Sequence, residues 1–504
     1  MLQFLPPKNS HPPRGLLRDG ASVMDVPFYL GFMHSAVWVL AVGYLVSGLD
    51  EMVMTFAFIF WRLYRRFILL RGRQRLNLAM LEAKPEQTVA IMVPAWNEAA
   101  VIGRMLRYAV ANIDYQRYMI FVGVYPNDPD TLAVVEGVMA EHPDHVRVAM
   151  VGNPGPTTKS DCLNAVMRRI RGWENETGRD VEIYVLHDAE DYVPRYGLKC
   201  FNYLIPQKAI VQIPVFPLAA PWWSMTEGHY MDEFAQLHVK DLRVREWLTG
   251  GVPSAGVGTA FSRGAMDLAW HDAVEGVFRA HLLTEDYEIS MQLLRLGAPS
   301  AFFTGNVIGS RPEPEMCRLY ALPGMPAVRG EFPHDFWPAV RQKTRWILGI
   351  TLQGWESLGW YGSFWQRYIL FRDRKPLITN IANAVVYLFA LIWLIHWGLV
   401  LTLFPQWKNI SLYPESVWLD RVMAVNMVLL TSFILVRGTC TFLAYGPVAA
   451  FMSVPRIVWG NFVNFVATVR AVRQFVSARR QGITHIPWEK TDHAVKERRL
   501  EEAA

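Results

Sequence analysis

Three apolar runs, at about 26–48, 377–404 and 419–436, divide this chain and constrain what it can fold into. Each is long enough to cross a bilayer, which takes roughly 20 apolar residues. The flanking charges set an orientation. Arg62, Arg65, Arg66, Arg71, Arg73 and Arg75 follow the first run, and Arg456, Arg470, Arg473, Arg479 and Arg480 follow the third. The loop between the second and third holds little beyond Lys408, and the N-terminal segment carries only Lys8, Arg14 and Arg18. The positive-inside rule then puts the N-terminus outside, with residues 65–375 and the C-terminal tail in the cytosol. An opening with Pro6, Pro7, Pro12 and Pro13 and no small-residue cleavage pattern does not read as a cleaved signal peptide.

Composition agrees with membrane segments joined to a globular part. The chain is 52% hydrophobic with 19 Trp, and its 19% charged residues fall below the roughly 25% of a soluble domain. The net charge of +5 is accounted for by arginines at membrane flanks, so no nucleic-acid partner is expected. Cys162, Cys200, Cys317 and Cys440 have neither zinc-knuckle nor redox spacing and read as reduced thiols.

Two further segments have the character of helices lying in the headgroup layer. Residues 345–372 carry Trp346, Trp355, Trp360, Tyr361, Phe364, Trp365, Tyr368 and Phe371, followed by Arg374 and Lys375. Residues 455–476 mix apolar positions with Arg470 and Arg473. Arg437, at the end of the third run, reads as an anchor snorkelling to the cytosolic boundary. The expected organisation is an N-terminal periplasmic segment (1–25), a first transmembrane helix with its basic flank (26–64) and a cytosolic globular domain (65–345). Interfacial helices (346–375), two transmembrane helices (376–445), and an interfacial helix with a cytosolic tail (446–504) complete it.

Between the first two spans, strand-like runs at 88–94, 119–124, 146–151 and 181–186 alternate with helical stretches, among them 98–112 and 160–171. Alternation of this kind implies a parallel sheet covered on both faces. Ligands of such sheets bind beyond the carboxyl ends of the strands, so chemistry is sought there. The first strand ends in Val93-Pro94-Ala95-Trp96-Asn97-Glu98, and the second in Tyr125-Pro-Asn127-Asp128-Pro-Asp130. Trp96 offers a face for a base, and Asn127 or Asp128 an acceptor for an imide or ribose hydroxyl; either is also an ordinary polar turn. The fourth ends in His187-Asp188-Ala189-Glu190-Asp191. Three carboxylates at one strand terminus repel unless a hard divalent cation such as Mg2+ or Mn2+ joins them to phosphate oxygens; a solvated acidic turn is the plainer reading. Lys159 is placed to pair with a diphosphate. Further on, Thr284-Glu285-Asp286 combines a helix N-cap with two first-turn acids, which favours the helix dipole and also supplies a general base in Asp286. Gln342-Lys-Thr-Arg345-Trp346 offers a guanidinium fork for phosphate and a ring for a sugar.

Together these motifs resemble the large inverting glycosyltransferase family two, of GT-A fold (α/β, Rossmann-like, binding a nucleotide-diphospho-sugar), above all its membrane-embedded cellulose and hyaluronan synthases. The matching text is Val93-Pro-Ala-Trp-Asn-Glu98, Asp188-Ala-Glu190, Thr284-Glu-Asp286 and Gln342-x-x-Arg345-Trp346, in that order. A closer resemblance, over nearly the whole chain, is to the phage adsorption protein B family of bacterial inner membranes. It adds Val122-Gly-Val-Tyr-Pro-Asn-Asp-Pro-Asp130, Lys159-Ser-Asp-Cys-Leu-Asn164, His187-Asp-Ala-Glu-Asp191, Met452-Ser-Val-Pro-Arg-Ile457 and Trp488-Glu-Lys-Thr-Asp-His493. That family is implicated in making a surface glycan that phage exploit, under cyclic di-GMP control.

The resemblance implies a multi-pass inner-membrane enzyme with a UDP-sugar donor and a growing glycan as acceptor. Pro94, Trp96, Glu98, Asp128, Lys159, Asp188, Gln342 and Arg345 would bind the donor, with Trp96 in place of the usual stacking tyrosine. Asp188 and Glu190 would hold the metal, Asp286 would be the catalytic base beside Glu285 and Arg345, and Trp346 and Thr284 would meet the acceptor. Glu190 stands where cellulose synthases have aspartate, so Asp191 is a candidate to share the ion. About three spans, not six to eight, imply that export uses a homo-oligomer or an outer-membrane or periplasmic partner. The chain reaches Ala504 soon after Trp488 without an Arg-x-x-x-Arg and Asp-x-Ser-x-x-Gly pattern, so cyclic di-GMP control is expected through a partner. Two rivals share these features: a polyprenyl-phosphate monosaccharide transferase, and a non-catalytic membrane receptor or scaffold with a degenerate transferase domain.

Overall fold

A computed structural model describes residues 25–72, 74–270, 276–280, 282–409 and 411–482. The expected periplasmic segment (up to residue 24), Arg73, His281 and the tail from 483, with the Trp488–His493 motif, lie outside the described residues. The chain divides into two compact units, one from Met1–Leu49 and Val386–Leu429, the other from Asp50–Val385 and Leu430–Ala504.

The first unit is helical. Here the His34 ring meets the Ser411 carbonyl at 3.0 Å, and Asn426 donates to the Ala41 carbonyl at 2.9 Å. Among the described residues three helices are long and apolar enough to cross a membrane, within Leu30–Leu69, Pro376–Thr402 and Val417–Tyr445. The first is longer than the 26–48 read from sequence. The continuous helix Asp25–Tyr64 has 40 residues, twice what a ~30 Å hydrocarbon core needs at about 1.5 Å per residue.

The second unit carries a seven-stranded sheet. Its strands are β1 (Val89–Pro94), β2 (Tyr118–Val124), β3 (Val146–Met150), β4 (Ile183–Leu186), β5 (Ile210–Gln212), β7 (Thr259–Ser262) and β8 (Ser300–Phe302). β6 (Val215–Pro217) and β9 (Val328–Gly330) pair separately. The order is β3-β2-β1-β4-β7-β5-β8. β1 to β4 are parallel, as the alternating pattern predicts, but β7 runs antiparallel to both β4 and β5. The sheet is therefore mixed. The sequence after β4 breaks the strand–helix rhythm, which is where the all-parallel expectation fails.

Burial on both faces explains the continuous apolar strands. Val89, Ile91 and Val93 pack with Val101, Ile102 and Met105 on one face, while Ala90 and Met92 pack with Leu163, Val166 and Ile170 on the other. Local signals set the helix ends. Asp128 caps Pro129–Glu141, with proline in the first turn, and a Thr158–Asp161 capping box starts Lys159–Thr177, which stops at left-handed Gly178. The chain leaves β1 toward β2 on one side and returns to β4 on the other, so a topological switch point lies between β1 and β4.

After the sheet come helix Phe336–Trp346, a π-helical turn Ile347–Gln353, and helices Gly354–Leu358 and Phe364–Arg374. Phe364 and Trp360 stand 73% and 48% exposed, while Ile369 and Leu370 are buried. The second aromatic-basic stretch is one helix, Pro447–Arg480, longer than the 455–476 predicted, with Pro455 inside it. It packs on helices Met225–Gln236 and Phe336–Trp346. Arg437, expected as a snorkelling anchor, instead donates to the Gln236 side chain at 2.9 Å.

Gly123 in β2 gives a test of the packing. A Cβ there would strike the Cys162 sulfur and lie 3.0 Å from Val166. Gly123→Val should cost about 1–3 kcal/mol through overpacking, read as a lowered midpoint in a thermal melt of the detergent-solubilised protein.

Candidate active site

The switch point opens into a cavity of about 440 Å³. Pro94, Trp96 and Glu98 reach it from the end of β1, and Asp188 and Glu190 from the end of β4. Lys159 enters from the start of its helix, Thr284, Glu285 and Asp286 from the first turn of helix Glu285–Arg295, and Gln342, Arg345 and Trp346 from helix Phe336–Trp346.

Lys159 is the centre of the charge arrangement. Its Nζ donates to Asp188 Oδ1 at 2.6 Å and lies 3.9 Å from Glu285 Oε1. Against the cost of burial, Asp188, Glu285 and Asp286 raise its pKa. Burial pushes Glu285 up to about 7, Asp286 and Asp188 adding to the rise while Lys159 opposes it. Asp286 is raised too, by burial first, and unlike Glu285 it is half-exposed. Gly256, at φ +78°, makes room for these groups, since a Cβ there would stand 2.7 Å from Asp286 Oδ2 and 3.6 Å from Lys159 Nζ. Thr284 sits at the N-cap as predicted but makes no capping hydrogen bond; its side chain packs on Gly349, where no Cβ would fit.

At the end of β4, burial and the neighbouring Asp188, Asp191 and Glu98 hold the Glu190 carboxyl well above the usual carboxylate range. Among the described residues no cluster of three His, Cys, Asp or Glu forms a closed cage. Asp188 and Glu190 nevertheless offer hard oxygen donors whose mutual repulsion a divalent cation would relieve, leaving further positions for phosphate and water. That chemistry fits Mg2+ or Mn2+. Asp191, a candidate to share the ion, also lines the cavity and braces the loop through one carboxylate oxygen. Its Oδ2 accepts from the Asp188 N–H at 3.0 Å and stands 2.9 Å from His187 Nδ1.

The residues after the second strand shape the turns around Trp96. Trp96 stands edge-on to Tyr125, centroids 5.0 Å apart, over Gly155, where a Cβ would come within 2.5 Å of its ring. Asn127 braces that loop, its side chain exchanging two 2.7 Å hydrogen bonds with the Gly155 backbone. Asp128 is not among the cavity residues. It is 4% exposed, accepts from the Asn97 N–H at 2.6 Å and the Thr131 N–H at 3.3 Å, and so holds Asn97 in its left-handed conformation. Its carboxylate is spent on shaping the turn that presents Trp96.

On the opposite wall, the Gln342 Oε1 is buried without a hydrogen-bond partner among the described residues. Trp346 meets Tyr230 edge-on, centroids 6.0 Å apart. Sequence reasoning passed over Lys343, which pairs with Glu233 and lies 4.9 Å over the Tyr230 ring. Against the upward push of burial, Lys343 holds Glu233 down to about 2. It also passed over Arg245, Gly256 and Asp373. Only the position of Lys343, inside the Gln342–Arg345 motif, signalled any of them.

The model of Glycosyltransferase like family 2 matches residues 85–349, more than half the chain, and the chain belongs to that family. The matched segment contains the mixed sheet and all the cavity residues but Ile350 and Asp373, and its fold is the GT-A glycosyltransferase fold. Bacteriophage adsorption protein B of Escherichia coli K12 and Bacteriophage N4 adsorption protein B of Escherichia coli O157:H7 are each 38% identical over 460 residues. The match covers 90% of this chain but 61% of each relative's length. Among solved structures, a mannosyltransferase from Pyrobaculum calidifontis in complex with GDP-Man and Mn2+ is similar at 13% identity and TM-score 0.48, covering 87% of this chain and 99% of that one. S. aureus TarS 1-349 in complex with UDP-GlcNAc is similar at 14% identity and TM-score 0.33, covering 81% and 98%.

The raised Glu285 predicts a pH dependence. A carboxyl at about 7 in the folded protein and near its usual value unfolded binds more protons when folded, so stability falls as pH rises between them. In chelator, Glu285→Gln should flatten that slope between about pH 4.5 and 7, measured by denaturant unfolding at several pH values.

Proposed function

We propose that this chain is an inverting glycosyltransferase of a bacterial inner membrane, using a UDP-sugar and a divalent ion to build a cell-surface or secreted polysaccharide. The observation that carries the reading is the convergence on one cavity of Asp188, Lys159 and Asp286 with Gln342 and Arg345, motifs far apart in sequence.

In this reading Trp96 stacks on the base. Lys159, Gln342 and Arg345 grip the diphosphate, Arg345 through its guanidinium fork. Asp188 and Glu190 hold the Mg2+ or Mn2+, which when bound neutralises charge developing on the departing diphosphate. Asp286 takes the proton of the acceptor hydroxyl as that oxygen bonds to the anomeric carbon. The bond from that carbon to the phosphate oxygen breaks, and its electron pair leaves with UDP, so configuration inverts in one displacement. The raised pKa of Asp286 suits a base at neutral pH. Trp346 and Thr284 border the place of the acceptor sugar.

The membrane-capable helices and flanking arginines support an external N-terminus with residues 65–375 and the tail cytosolic. The exposed aromatics of helix Phe364–Arg374 support residues 346–375 lying at the bilayer surface. The printed names of the Escherichia coli relatives support a product used in phage adsorption. The apolar cavity residues Leu237, Leu242 and Ile350 support a second reading, transfer of one sugar to a polyprenyl phosphate. Product length distinguishes the two.

The test is metal-dependent UDP release by the detergent-purified protein across a panel of UDP-sugars. Asp286→Asn should lower turnover by about 10²–10⁴-fold while UDP binding by calorimetry stays near wild type. Asp188→Ala should lose both turnover and metal-dependent binding. Near-full activity of Asp286→Asn would remove the base assignment, and absence of any nucleotide binding would favour a receptor or scaffold.

A further inference from the structure

Three consecutive residues at the end of helix Phe364–Arg374 engage three different parts of the protein. Arg372 pairs with Asp50 and, at 2.7 Å, with Glu51, two carboxylates in the first long apolar helix; Lys375 adds a 2.6 Å bond to Asp50. Arg374 lies over the rings of Trp355 and Trp360, at 4.9 and 4.1 Å. Asp373, between them, points into the catalytic domain. Its two oxygens accept from both terminal nitrogens of Arg245 at 2.8 and 2.9 Å, and Oδ2 also accepts from the Tyr287 hydroxyl at 2.7 Å.

Tyr287 directly follows Asp286 in the first turn of its helix and is 4% exposed. Arg245 is 7% exposed, and its Nη2 also meets the Met291 sulfur at 3.4 Å, one turn further along that helix. A bidentate fork is stiff because two parallel bonds fix both distance and plane. The first turn of a helix is otherwise the part most free to fray, and here it lacks a side-chain cap.

We propose that Asp373 is a positioning residue for Asp286. Resting on the transferase reading above, it fixes the turn that carries the base, through Tyr287 and Arg245. Arg372 and Arg374 fix the helix on which Asp373 stands, so the brace is anchored at the first long apolar helix. Asp373 touches no reacting atom in this role. Its loss misplaces Asp286 without altering the residues that hold the donor, and a displacement of about 1 Å is enough to cost on the order of 10²-fold in rate.

The experiment uses the full chain in detergent with Asp373→Asn, Asp373→Glu, Tyr287→Phe and Arg372→Gln. Two readouts are taken: kcat and donor KM for whichever UDP-sugar wild type turns over, and amide hydrogen exchange over residues 282–291. Asp373→Asn should lower kcat at least tenfold with donor KM within about twofold, and speed exchange in that turn while leaving strands β1 and β4 unchanged. Asp373→Glu, which can rebuild the fork, should recover part of kcat; Tyr287→Phe and Arg372→Gln should change both readouts in the same direction by less. Unchanged exchange at 282–291 in Asp373→Asn would overturn the proposal, as would equal losses of UDP-binding stoichiometry and kcat, which mean simple unfolding. If wild type turns over no UDP-sugar, the exchange readout still decides: a response confined to that turn supports the brace while counting against the transferase reading.

Discussion

Lys159 stands within an ion-pair distance of both Asp188, at the end of β4, and Glu285, beside Asp286. Without it, carboxylates from two distant motifs would face one another in a partly buried cavity, where burial already pushes Glu190, Glu285 and Asp286 toward their neutral forms. One ammonium cannot neutralise them all. Asp188, Glu285 and Asp286 outnumber it, and carboxylates together with substrate phosphates are the usual ligands of Mg2+. Hydrogen bonds and one glycine shape the surrounding backbone. Asp191 and His187 lock one loop, Asp128 locks another, and Gly256 leaves the space that any side chain would take from Asp286.

The same principle, buried charge met by opposite charge, joins the helices of this unit to one another. Lys343 pairs with Glu233, Arg245 with Asp373, and Arg372 with Asp50 and Glu51. Removing one partner of such a pair costs about 3–5 kcal/mol because the other is left charged in a poor solvent. These pairs therefore specify which helix lies on which, more than they add net stability. They also link segments whose exposed aromatics face away from the sheet to side chains that line the cavity.

Much of the sheet was legible because its signals are local. A continuous apolar run such as Val89–Pro94, with β-branched residues at every second position and a proline at its end, reads as a strand buried on both faces. The antiparallel β7 was not legible. Thr259–Ser262 has four residues and no alternation to distinguish direction, and its orientation is set by pairing with β4 and β5. The capping role of Asp128 was not legible for a related reason. An aspartate after a strand looks the same in sequence whether its carboxylate faces a ligand or caps the next helix, and the Asn97 and Thr131 amides decide it.

By itself, then, the sequence determined the apolar helices, the basic flanks, the strands up to β4 and the motifs that supply Lys159, Asp188, Asp286 and Arg345 to the cavity. Each depends on hydrophobic period, charge or a short motif, and these act over a few residues. Only the tertiary structure decided which of those groups meet. That Asp188, Lys159 and Asp286 share a cavity follows from the strand order and from a glycine at residue 256. That Asp373 stands behind Tyr287 follows from helices folding back on the sheet long after it is complete in sequence. Contacts of that span are set by packing and by the cost of leaving a buried charge alone, and no local pattern encodes either.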